Sequence, residues 1–164
     1  MEDMKGHLFS FESTWHVPHD LETVWNHVGM VAHYPVWWPG MKEVEILQGH
    51  ELPVAVGNAF RFTVASPLYS LSYTTTVTEC VLGEKIVADA HGDLAGKGTW
   101  TFEAKDAETK ATFLWEVSVT PPLLQVASRV PPVRLVMRFF HDRLMNAGER
   151  GLNELLAASY AASK

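Results

Sequence analysis

The chain has a single cysteine, Cys80, among its 164 residues. One thiol excludes an intramolecular disulfide and leaves no thiol cluster to hold zinc or an iron–sulfur centre. No apolar run approaches the roughly 20 residues of a membrane-spanning helix. The first residues, Met1 to Gly6, also lack the basic and apolar segments of a secretory signal. These absences predict a cytoplasmic protein with no membrane span and no chemistry at paired cysteines.

Basic charge is also scarce, because 13 lysines and arginines stand against 19 acidic residues and give a net charge of −6. A nucleic-acid binder needs clustered cations to neutralise phosphates, so we expect no nucleic-acid partner. The chain has eight histidines. Of these, His16 and His19 straddle the end of a predicted strand and form no metal-ligand motif. We therefore expect neither a metal nor a cofactor.

The remaining composition is typical of a folded globular protein, with 47% apolar and 20% charged residues. A chain of this length can bury a sizeable core without disulfides or metal ions. We expect residues 1–164 to form a single domain.

Local patterns predict an α+β protein. Apolar and polar residues alternate from Phe9 to Val17, which indicates a half-buried strand. Pro18 and the acidic residues after it open a helix that should end at Gly29. Two prolines in His33–Gly40 predict a short helix or an ordered loop there. Six further runs predict an antiparallel meander, at residues 42–48, 59–65, 68–81, 85–91, 98–105 and 111–120.

One parity of these strands is apolar and the other is polar, so the sheet has a dry face and a wet face. The predicted dry face consists of Val44, Ile46, Phe60, Phe62, Val64, Leu71, Tyr73, Thr75, Val77, Ile86, Ala88, Ala90, Trp100, Phe102, Phe113, Trp115 and Val117. Cys80 falls on the wet face, and Gly92–Gly98 should be a hairpin connection.

A long C-terminal helix can cover the dry face, since no proline follows Pro131 and Pro132 up to Lys164. Its apolar stripe should contain Val133, Met137, Phe140, His141, Leu144, Gly148, Gly151, Leu152 and Leu155. Gly148 and Gly151 each weaken a helix by about 1 kcal/mol. They either allow a close approach of the strands or leave space for a ligand, and close packing is the favoured interpretation.

Three segments resemble those of a known group: Tyr34–Gly40, Gly92–Phe102 and His141–Leu152. They are similar to recurring segments of the polyketide cyclase/dehydrase-like group of the START/Bet v 1 superfamily. The resemblance implies a helix-grip fold, in which a curved antiparallel sheet of about seven strands wraps around a long C-terminal helix. Two short helices should follow the first strand. It also implies a cavity between the concave sheet face and the long helix.

Candidate ligand-binding residues lie where the dry face and the helix stripe would meet. They are Trp37, Trp38, Phe60, Phe62, Tyr73, Thr75, Trp100, Phe102, Trp115, Met137, Phe140, His141 and Leu144. Flat, apolar tryptophan rings suit an aromatic or isoprenoid ligand, although the strand tryptophans could equally be core residues. Because neighbouring side chains cannot both point into one small core, Trp37 or Trp38 should face the pocket mouth.

His141 is the only catalytic candidate, because it is the ionisable side chain on the apolar stripe. A buried histidine with a satisfied hydrogen bond is the favoured alternative. Asp142 does not complete a dyad with it, since consecutive helical residues point about 100° apart. The catalytic role therefore stays open.

Three functions fit the pattern. The predicted inward face has few polar residues, namely Ser13, Tyr73, Thr75 and His141, which suits orienting one ligand better than proton transfer. Binding of a small hydrophobic or aromatic molecule, lipid- or polyketide-like, is therefore favoured. A polyketide cyclase or dehydratase is the first alternative, and a protein-interaction module similar to the chaperone-activating relatives of this fold is the second. The oligomeric state is left open, and a homodimer is compatible with the sequence.

Overall fold

The computed structural model describes residues 8–50, 54–67 and 69–164. The strands are β1 (Leu8–Val17), β2 (Met41–Gln48), β3 (Ala59–Ala65), β4 (Ser70–Val81), β5 (Lys85–Gly92), β6 (Leu94–Lys105) and β7 (Glu108–Val119). The helices are α1 (Leu21–Gly29), α2 (Tyr34–Trp37), α3 (Pro122–Ala127) and α4 (Pro131–Ala162), with a 3-10 turn at Val31–His33 before α2. Leu68, where β4 was predicted to begin, lies outside the described residues. The helix α3 is an element that the sequence pattern did not predict.

The seven strands form one antiparallel sheet in the order β1-β7-β6-β5-β4-β3-β2. Consecutive strands from β2 to β7 are neighbours, and β1 joins the sheet beside β7. The helix α4 covers the dry face, since its side chains and those of β3 to β7 line the same internal space. The helix-grip fold is therefore confirmed. Among the described helices, none is long and apolar enough to cross a membrane.

The helix α1 begins where Asp20 caps it. One oxygen of the Asp20 carboxylate accepts a hydrogen bond from the Thr23 backbone N–H at 3.0 Å and the other accepts one from the Thr23 hydroxyl at 2.7 Å. These bonds lower the pKa of Asp20. On the buried side of α1, the Trp25 ring meets the Phe102 ring edge-on, with centroids 5.1 Å apart. The helix thus covers one end of the dry face.

The assignment of Cys80 to the wet face is wrong. The pairing of β4 with β5 shifts register between Val77 and Glu79, and Cys80 then lies opposite Ile86. An extra residue in one strand reverses the alternation beyond it, so Cys80 turns to the dry side. Its thiol donates to the Val54 carbonyl at 3.5 Å.

The hairpin connection predicted over Gly92–Gly98 is also wrong. The strand β5 runs to Gly92 and β6 begins at Leu94, so the turn is centred on Asp93. Most of the segment is therefore strand. A Cβ atom at Gly98 would lie 2.9 Å from the Trp115 indole, so the missing side chain lets that ring lie across the sheet.

Candidate functional site

Three adjoining cavities lie between the sheet and the helices α3 and α4. The inner cavity has a volume of about 110 Å³ and lies beneath the middle of α4. The middle cavity has about 100 Å³, and the outer cavity has about 280 Å³. Four residues line both the inner and the middle cavity and form the partition between them, namely Tyr73, Trp115, His141 and Leu144.

The structure brings most of the predicted site residues to these cavities. Those that line the inner cavity are Trp38, Phe60, Phe62, Tyr73, Thr75, Trp100, Trp115, His141 and Leu144. Met137 and Phe140 line the middle cavity. Trp37 and Phe102 line neither, because Phe102 is covered by α1 and Trp37 packs into the aromatic core.

The expectation that Trp37 or Trp38 faces a pocket mouth is wrong. The two residues are only 6% and 2% exposed, respectively. The Trp38 indole N–H donates to the Leu144 carbonyl of α4 at 2.8 Å, which fixes α2 against that helix. The Trp37 ring lies 5.3 Å from Tyr34 and 6.3 Å from Trp15, between centroids. Both tryptophans are core residues, and Trp38 also forms a wall of the inner cavity.

Gly148 and Gly151 explain how α2 can lie so close to α4. A Cβ atom at Gly151 would overlap the Trp37 carbonyl oxygen. One at Gly148 would overlap the Trp38 indole and come within 2.8 Å of the Trp15 ring. Close packing is therefore the role of these two glycines. They accommodate chiefly α2 and the Trp38 that follows it, and Trp15 is the strand residue that lies close to them.

His141 lies in the partition with its ring stacked on Phe11, at 4.4 Å between centroids and 19° between planes. Its Nε2 atom is buried and has no hydrogen-bond partner among the described residues. Burial lowers the pKa of His141 to about 4, with a smaller lowering from Arg138 and an opposing effect from Asp142. The ring is therefore neutral at pH 7. A neutral imidazole can donate to a ligand carbonyl or accept from a ligand hydroxyl.

Acid should destabilise the protein through His141. Because its folded-state pKa of about 4 lies below the ordinary 6.5, the unfolded chain binds the proton more readily. The stability that the protein has with a neutral His141 ring is fully present above pH 6.5 and is lost as the pH falls towards 4. Between these limits we expect wild type to lose about 2 kcal/mol more free energy of unfolding than His141→Gln, measured by urea denaturation. If the free energies of unfolding of wild type and His141→Gln fall in parallel with pH, the ring is solvated and the prediction is wrong.

Three other residues that line the inner cavity carry hydroxyl groups, namely Tyr34, Tyr73 and Thr75. Tyr73 stacks on Phe62 at 5.3 Å and approaches Trp115 at 5.7 Å, and burial raises its pKa, so its phenol stays protonated. Thr75 is the next residue after Tyr73 on the inner face of β4, and it also lines the inner cavity. The Tyr34 hydroxyl already donates to the Val28 carbonyl at 2.5 Å. Tyr73, Thr75 and His141 are thus neutral groups suited to orienting a ligand.

The outer cavity lies between the middle cavity and the surface, and sequence reasoning missed it. It shares Tyr69, Leu71 and Met137 with the middle cavity, and its lining is entirely apolar. Pro132 and Val136 also line it and are exposed, so it meets solvent beside the start of α4. The apolar residues between Pro121 and Pro131 were the available signal, because they predict a further packed segment there.

Metal binding finds no support in the part of the chain that the structure describes. There, no three histidine, cysteine, aspartate or glutamate side chains cluster so that they could hold a metal ion.

Comparisons with known proteins agree with this architecture. The family model for polyketide cyclase/dehydrase and lipid transport proteins matches residues 17–147. The structure of TTHA0849 from Thermus thermophilus is 15% identical, with a TM-score of 0.72, over 92% of this chain and 99% of that one. The Zhui aromatase/cyclase from Streptomyces sp. R1128 is 17% identical, with a TM-score of 0.69, over 90% and 93%. A START superfamily protein from Mycobacterium smegmatis is 19% identical, with a TM-score of 0.69, over 93% and 98%. No curated protein matches the sequence.

Proposed function

Since the chain belongs to the polyketide cyclase/dehydrase and lipid transport family, we propose that it binds one small, mainly apolar molecule across the inner and middle cavities. The observation that carries the proposal is the unpartnered Nε2 atom of His141, which lies in the partition between the two. A buried polar atom without a partner is costly, so a ligand hydroxyl or carbonyl that pairs with it adds binding energy.

Cavity size limits the ligand. An enclosed apolar cavity of about 150 Å³ holds one benzene ring. The inner and middle cavities, at about 110 and 100 Å³, together suit one to two rings when the side chains of the partition between them turn aside. A long lipid or a multi-ring polyketide would also need the outer cavity. The favoured ligand is therefore an aromatic or isoprenoid molecule of one or two rings that carries one oxygen.

The charge state of the lining favours binding over proton transfer. A general acid or base works best when its pKa lies near the working pH. Burial moves the pKa of His141 down to about 4 and that of Tyr73 up, so both groups are held neutral. Neutral donors and acceptors in an apolar pocket orient a ligand and move protons poorly.

We expect 1-naphthol to bind about tenfold more tightly than naphthalene, as measured by fluorescence titration. One hydrogen bond to His141 contributes about 1 to 1.5 kcal/mol, which is about tenfold in affinity. His141→Phe should remove this difference. Ala88→Leu should weaken both probes at least tenfold, because Ala88 lines the inner cavity and three added carbons occupy it.

A matched control keeps this test specific. Ala95→Leu makes the same change on β6, where the side chain lines a groove outside these cavities, and it should leave both affinities unchanged. Equal effects of the two leucine variants would mean that the probes bind elsewhere. Failure of 1-naphthol to bind wild type would refute the proposed ligand class.

A cyclase or dehydratase is the second candidate, and the placement of His141 and Tyr73 around one cavity favours it. The similar Zhui protein is an aromatase/cyclase by name. Such an activity would be indicated by turnover of a poly-β-ketone that His141→Gln lowers about a hundredfold while 1-naphthol binding persists.

A further inference from the structure

An apolar surface lies beside the opening of the outer cavity. Six large side chains of α3, α4 and their connection are between 40% and 82% exposed, and we name them the docking face: Leu123, Val126, Val130, Leu135, Val136 and Phe139. Monomeric proteins rarely leave so many neighbouring apolar side chains in water without a function. Val136 also lines the outer cavity, so the docking face and the opening of that cavity are adjacent.

The charge around the docking face is opposite to that of the whole protein. Residues 121–143 contain four arginines and one acidic residue, Asp142, whereas the chain has a net charge of −6. At about 100° per residue, Leu135 and Phe139 lie on the outer side of α4, with Arg138 and Arg143 to either side of them. The rest of the molecule is therefore strongly acidic and this end is basic.

We propose that the docking face lies on an anionic membrane surface, with its apolar side chains in the headgroup region and the neighbouring Arg138 and Arg143 against lipid phosphates. Apolar residues flanked by arginine on one helix side are the pattern of an interfacial helix. Acidic lipids attract this end and repel the remaining surface, which orients the outer cavity towards the bilayer. Two-fold pairing with a second copy would instead bring arginines towards arginines.

Vesicle pelleting tests the proposal with the full chain. We expect it to bind vesicles of phosphatidylcholine and phosphatidylserine at least tenfold more tightly than pure phosphatidylcholine vesicles. The double variant Arg138→Glu/Arg143→Glu should lower binding to the mixed vesicles at least tenfold. Leu135→Ala/Phe139→Ala should lower it by a similar factor and should keep a wild-type melting temperature, because both side chains are mostly exposed.

Two variants away from the docking face serve as controls. Leu82→Ala removes an apolar side chain that is 81% exposed, and Lys105→Glu reverses an exposed charge. Both should bind vesicles as wild type does. The proposal fails if wild type binds neither vesicle type, if the controls weaken binding equally, or if the protein dimerises through Leu135 and Phe139. Binding to an acidic protein without vesicle binding would also overturn it. Probe binding in the inner cavity is measured without vesicles, so the two proposals can fail separately.

Discussion

Trp38→Ala is expected to lower the free energy of unfolding by about 4 kcal/mol, the usual scale for removing a large buried aromatic side chain. The Trp38 ring lies 4.9 Å from Trp15, 5.0 Å from Tyr34 and 5.5 Å from Trp37, between centroids. Its N–H also holds the Leu144 carbonyl. The change therefore leaves a cavity and removes the side-chain bond that ties this residue to α4. Urea denaturation at neutral pH measures the effect.

Val36→Ala is the matched control for this change, because Val36 lies in α2, which Trp38 directly follows, but is 78% exposed. It should change the free energy of unfolding by less than about 0.5 kcal/mol. Should Trp38→Ala keep wild-type stability and lose only affinity for 1-naphthol, the residue would be a binding residue at a pocket mouth after all. Equal losses in both variants would point to a general weakness of α2.

Gly151→Ala is expected to cost at least about 3 kcal/mol of unfolding free energy, at the upper end for overpacking. In an isolated helix the same change stabilises by about 1 kcal/mol. Here the sign reverses, because the new methyl group would overlap the Trp37 carbonyl oxygen. Backbone cannot rotate away as a side chain can, so α2 and α4 must separate. Thermal and urea denaturation both report the loss.

Asn146→Ala provides the control for helix propensity, since Asn146 is exposed on the same helix. It should be neutral or slightly stabilising. A stabilised Gly151→Ala variant would show that α2 does not rest on α4, and the inner cavity would then lose the wall that Trp38 forms. A loss confined to 1-naphthol binding would mean instead that the glycine leaves room for ligand.

Much of the site was predictable because strand alternation is a local property. Phe60, Tyr73 and Trp100 lie at inner-cavity positions that their parity alone indicates, and helical spacing identified Met137 and His141. Parity failed at Cys80, because a register shift depends on pairing with the neighbouring strand. It also gave no information on Trp37 and Trp38, whose burial depends on a helix more than a hundred residues away in the chain.

By itself the sequence determined the order of the strands, the dry face of the sheet and the apolar stripe of the long helix. These follow from periods of 2 and about 3.6 residues, which act over a few neighbours. Only the tertiary structure decided which dry-face residues border empty space and which are packed solid. Phe102 and Trp100 share one strand and one parity, yet α1 covers the first and the second lines the inner cavity. The difference arises because a cavity is the space left between several packed elements, and no single segment contains that information.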